Sequence, residues 1–96
     1  MSKTVIWKYH LQPDLSRNIT TIEIPIQHVI LSVGQQDNEI MLWIMVDPES
    51  PLMQKRFFII GTGHEMSAGQ SKLIFDKFIG TVHLYDGKLV LHIFEA

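Results

Sequence analysis

The sequence predicts a small all-β protein, an antiparallel β-sandwich or open barrel of about seven strands with little helix. Three observations carry that expectation. Apolar and polar residues alternate over short runs, those runs are rich in β-branched and aromatic residues, and turn-forming residues interrupt them every eight to twelve positions or so. The chain of 96 residues predicts a single domain over residues 1–96. A chain of this size buries one hydrophobic core and about two-thirds of its unfolded surface.

Thr4 to Leu11 alternates, with Val5, Trp7, Tyr9 and Leu11 on one side and Ile6, Lys8 and His10 on the other, until Gln12-Pro13-Asp14 stops it. Thr20 to Ile24 is β-branched and runs into Pro25, which cannot donate to a ladder and marks a sheet edge or bend. His28 to Gln35 is a third strand, and Gln35-Gln36-Asp37-Asn38 turns the chain into Ile40 to Val46. That fourth strand is apolar on both faces, so it is expected to be covered on both, by the fold or by another subunit. Asp47-Pro48-Glu49-Ser50-Pro51 ends it, and Arg56 to Ile60 follows as a fifth strand, also apolar on both faces. Gly61 to Asp76 reads as a long loop with one helical turn near Lys72 to Asp76. Asp86-Gly87 is a favoured two-residue turn between Ile79 to Tyr85 and Lys88 to Glu95.

Eight Lys and Arg against ten Asp and Glu give a net charge of −2, with the cations scattered. Duplex nucleic acid, which rewards a concentrated positive face, is not an expected partner. The absence of cysteine removes disulfides and thiolate metal sites and fits a cytoplasmic location. The first residues lack the apolar core of a signal peptide, and Ile40 to Val46 is too short to span a bilayer, so no membrane association is expected. No serine sits in a Gly-x-Ser-x-Gly elbow, and Asp47, Glu49, Glu65, Asp76 and Asp86 fall at turns and strand ends, where acidic residues usually sit for solvation, so no enzyme activity, catalytic residue or cofactor is expected.

The candidate binding residues are Gly61, Thr62, Gly63, His64, His83 and His92. Two glycines after an apolar strand let the backbone approach a ligand. Successive amides there can form a nest for an anion, with the Thr62 hydroxyl and the His64 ring as further donors. The same four residues also serve as a tight turn that reorients the chain. If Asp86-Gly87 closes the last hairpin, Tyr85 faces Lys88, His83 faces Val90 and Thr81 faces His92, all on the wet side, with Val82, Leu84, Leu89, Leu91 and Ile93 on the oily side. His83 and His92 then form a diagonal pair roughly 7–8 Å apart between backbones. His64 is the third histidine that a metal would need, but without a His-x-x-x-His or carboxylate set the reading here is no metal.

Ile6-Trp7-Lys8-Tyr9, Ile30-Leu31-Ser32-Val33, Leu42-Trp43 with Val46-Asp47-Pro48, Arg56-Phe57 leading to Gly61-Thr62-Gly63-His64, Ile79-Gly80-Thr81 and His92-Ile93-Phe94-Glu95 together resemble an uncharacterised family of proteins encoded mainly by bacteriophages and prophages. The likeness covers nearly the whole chain and departs from the family pattern in a longer insertion between Glu65 and Phe78. It implies a phage origin, and for a small non-enzymatic protein three roles in the host cytoplasm. The first is a counter-defence homo-oligomer that sequesters a small anionic, nucleotide-like immune messenger. The second is an inhibitor that binds a host defence protein through its β surface, and the third a structural virion component.

Overall fold

The computed structural model describes residues 3–14, 16–67, 71 and 77–96. Seven strands run in chain order: β1 (Val5–Leu11), β2 (Ile19–Pro25), β3 (His28–Gln36), β4 (Glu39–Val46), β5 (Leu52–Gly61), β6 (Phe78–Leu84) and β7 (Leu89–Glu95). All pairings are antiparallel, in a three-stranded sheet of order β1-β4-β3 and a four-stranded sheet of order β2-β5-β7-β6. The expected all-β sandwich is therefore the observed one. The helical turn expected near Lys72 to Asp76 lies outside the described residues.

Alternation sets the register. Leu11, Ile40, Leu42, Ile44 and Val46 from the first sheet meet Ile24, Phe57, Ile59, Val82, Leu84, Leu91 and Ile93 from the second in one buried cluster. Burying each such side chain contributes about 1.5–3 kcal/mol, enough to fix which face of each strand turns inward. β5 begins earlier than the sequence suggested, because Leu52 to Lys55 pair with Ile22 to Pro25 immediately after Pro51. Its second face is buried too, with Phe58 and Ile60 packed by Ile19 and Phe94. β4 differs: its inner residues are buried but Met41, Trp43 and Met45 are only half-buried, so its expected double cover is incomplete.

The connections explain several turn residues. Asp37 and Asn38 take φ of 53° and 61°, the left-handed pair that a two-residue hairpin requires. At the β4–β5 bend Asp47 is 8% exposed, and its carboxylate accepts from the Glu49 amide at 3.0 Å. The Asp47 amide donates to the Gln27 carbonyl and the Ile26 amide to the Pro51 carbonyl, which ties this bend to the β2–β3 crossing. Asp47 is thus a buried structural residue, not the solvated acid its turn position suggested. At Asp14 the Ser16 hydroxyl donates to the carboxylate at 2.7 Å, and this bond is the first cause of a carboxyl pKa below the usual value.

The two sheets meet along two unlike seams. On one, β3 lies against β6, and a Cβ built on Gly80 would stand 2.7 Å from Cγ1 of Val33. Gly80 faces inward by alternation with buried Val82 and Leu84, opposite Ile93, and a register shift follows between it and Phe78. On the other seam β1 and β2 barely touch, and Val5 and Trp7 are each 41% exposed.

This closed seam can be tested. Val33 is β-branched and held in a strand, so it cannot swing aside, and Gly80→Ala is expected to destabilise the fold by about 1–3 kcal/mol. Urea unfolding should show that loss, and Val33→Ala added to Gly80→Ala should recover part of it. A Gly80→Ala protein as stable as the parent would rule out the contact.

Candidate functional site

Five of the six expected binding residues gather at one corner of the four-stranded sheet. Gly61, the last residue of β5, is buried and pairs with Leu91. Thr62 and Gly63 form the centre of a turn closed by the His64 amide donating to the Gly61 carbonyl at 3.0 Å. Gly63 has φ of 85°, the conformation required at the third position of a type II turn. The imidazole of His64 folds back over its own turn, since a Cβ on Gly61 would meet its Cε1 and Nδ1 at 2.7 Å. The ring occupies the place a side chain at Gly61 would take.

The anion nest anticipated at this turn does not form. The Thr62 amide donates to the Val90 carbonyl at 3.0 Å and the His64 amide is used within the turn, so successive amides are not free. The polar group that the corner does present is made of side chains. His92 stands on β7 between Ile60 and Thr81, and its ring is hydrogen-bonded on both sides: Nε2 to Thr62 Oγ1 at 2.7 Å and Nδ1 to Thr81 Oγ1 at 3.0 Å. A hydroxyl–imidazole–hydroxyl chain therefore links the end of β5 to the middles of β7 and β6 across the outer face.

The last hairpin has the anticipated register, with His83 opposite Val90 and Thr81 opposite His92. His83 and Thr81 are exposed while Val82, Leu84, Leu91 and Ile93 are buried, as the alternation required. His83 joins the corner only as a neighbour on the same face of β6. Among the described residues no group of three His, Cys, Asp or Glu side chains could hold a metal ion. The Asp86-Gly87 turn is closed by the Lys88 amide donating to the Tyr85 carbonyl at 3.1 Å. Tyr85 departs from expectation. It leaves the strand with φ of 52° as the first central residue of a turn closed by the Gly87 amide donating to the Leu84 carbonyl at 3.1 Å. Its amide donates to the Asn38 side-chain oxygen at 2.8 Å, which joins the tip of this hairpin to the β3–β4 turn.

A family model, Domain of unknown function (DUF7352), matches residues 1–96. The chain belongs to this family. Searches of curated proteins and of solved structures found no match. For this DUF7352 domain the site must therefore be read from its own geometry.

That geometry includes a feature which sequence reasoning missed. Where the two hairpin tips meet, a pocket of about 200 Å³ opens, floored by Ile40, Leu84 and Leu89 and rimmed by His10, Glu39 and Tyr85. His10 Nε2 and Glu39 Oε1 face each other there at 3.8 Å. Its residues come from four strands, two hairpin turns and the β1–β2 connection, and the bond that shapes it, Tyr85 to Asn38, spans 47 positions in the chain. No local pattern could have announced it. Among the described residues, no helix is long and apolar enough to cross a membrane.

The two inward glycines should respond differently to a methyl group. At Gly61 the obstacle is an exposed histidine ring, which can rotate, so Gly61→Ala is expected to cost well under about 1 kcal/mol. It should instead displace His64, seen as a shift of its ring proton resonances with His92 unchanged. An unmoved His64 resonance would show that the ring does not lie over Gly61.

Proposed function

We propose that the protein acts by binding and not by turnover: a phage-type counter-defence protein of the host cytoplasm that, as a homo-oligomer, sequesters a small anionic or nucleotide-like immune messenger. The messenger is held on the outer face by Thr62, Thr81, His83 and His92, with the Gly61–His64 turn at its edge. The observation that supports this reading is the Thr62–His92–Thr81 chain. In the neutral ring one nitrogen accepts from one hydroxyl and the other donates to the second, so one threonine hydrogen is left to offer outward. That outward hydroxyl, with the exposed His83 ring on the same face, offers hydrogen bonds to an anion. Overall charge, at −2, gives no general attraction for anions, so the preference has to be local.

A second reading has its own support. The outer face of the three-stranded sheet exposes Ile6 at 60%, Val29 at 45% and Leu31 at 48% beside half-buried Met41, Trp43 and Met45. Such a patch suits a protein partner, and a host defence protein would be inhibited by occupation of its own surface.

Thermal shifts with cyclic nucleotides and ADP-ribose derivatives separate the two. The messenger reading predicts a rise in Tm with at least one of them, about 4–8 °C for each kcal/mol of linked binding. The rise should be lost in the Thr62→Val, Thr81→Val double variant. A flat response across the panel would reject it.

A further inference from the structure

The two sheets have four edges, β1 and β3 in one and β2 and β6 in the other, and three of them are guarded. An open strand edge templates further pairing, and proteins blunt it with bulges, proline, charge or cover. β3 carries a register shift between Ile30 and Ser32 and is covered by β6 along the Val33–Gly80 seam. β6 carries its own shift between Phe78 and Gly80. β2 ends in Pro25 and presents Glu23, Thr20 and Thr21. β1 has none of these devices except Lys8. Its ladder with β4 is unbroken from Val5 to Leu11, it contains no proline, and among the described residues its backbone pairs only with β4. Both of its faces are apolar and exposed at the same end, with Val5 and Trp7 at 41% and Ile6 at 60%.

We propose that β1 pairs antiparallel with β1 of a second copy, across a two-fold axis perpendicular to the sheet and centred on Trp7. This gives a geometry to the homo-oligomer of the functional reading and rests on it in that respect. Charge and burial select the register. Centring on Lys8 would set Lys8 opposite Lys8, and like charges directly opposite destabilise a pair. Centring on Ile6 would leave only the first residues of the strand to overlap. Centring on Trp7 places Trp7 against Trp7, Val5 against Tyr9 and Ile6 against Lys8, so the exposed apolar residues lie in the middle. The two three-stranded sheets become one continuous sheet. Their outer faces, with Ile6, Val29, Leu31 and Trp43, then form a single apolar surface on one side, and the Trp7–Tyr9 ring pair, at 6.4 Å, is covered on the other.

The register makes two variants of one residue behave oppositely. Ile6→Lys would set a lysine opposite Lys8 of the second copy twice over, whereas Ile6→Glu would form two opposite-charge pairs at the same positions, and both lose the same apolar side chain. Sedimentation equilibrium of the full chain, from micromolar to millimolar, should give twice the 11.1 kDa chain mass for the parent. Ile6→Glu should retain that mass and Ile6→Lys should be monomeric, with circular dichroism unchanged because Ile6 is exposed. A monomeric parent would overturn the proposal. Two variants with equal mass would also overturn it, since association through a general apolar patch does not distinguish them. The nucleotide thermal shift is measured separately on each: a dimer with no nucleotide response rejects the messenger and leaves the interface standing. A monomeric parent with a nucleotide response does the reverse.

Discussion

A sandwich of two short sheets has two seams, and how each closes decides what the molecule can offer. In this chain one seam is set by a missing side chain. Gly80 faces inward beneath Val33, and the approach is too close for any Cβ. The hairpin register that sets Gly80 opposite Ile93 also sets Thr81 opposite His92, which places the hydroxyl–imidazole chain on the outer face. β3 and β6 are locked together at this seam, while at the other β1 and β2 barely touch and Val5 and Trp7 remain exposed. The closed seam thus borders the polar group and the open one the β1 edge.

The corner and the edge have different chemistry. Around His92 the groups are polar and directional, and their donor pattern depends on the tautomer of one ring. Along β1 they are apolar with a repeating backbone, which is suited to a second strand. Separation of the two surfaces would let one chain hold a ligand and a second copy together without competition. The buried cluster between them, built from all seven strands or their immediate neighbours, supplies the rigidity that either task requires.

Much of this fold was legible from the sequence, for local reasons. Period-two alternation identified the strands, Asp37-Asn38 and Asp86-Gly87 identified the hairpins, and with the second turn fixed the pairing of Thr81 with His92 followed. The illegible parts are those decided by distant partners. Tyr85 looked like the last residue of a strand, but an Asn38 side chain from another hairpin takes its amide. Asp47 looked like a solvated turn acid, but the β2–β3 crossing covers it. The amides of Thr62 and His64 looked free for an anion, and the Val90 and Gly61 carbonyls take them. The gathering of Gly61 to His64 with His92 was anticipated only as a possibility of position, and the bonds that make it a unit depend on the β5–β7 pairing.

The proposed pairing of the open β1 edge with a second copy is the central claim, and backbone hydrogen exchange read residue by residue along β1 tests it most directly. Alternate amides of β1 point to β4 and the others point outward. At millimolar concentration the account predicts slow exchange for both sets, because the outward set is bonded to a second β1. Rapid exchange of the outward-pointing set at every concentration, beside slow exchange of the inward set, would contradict it.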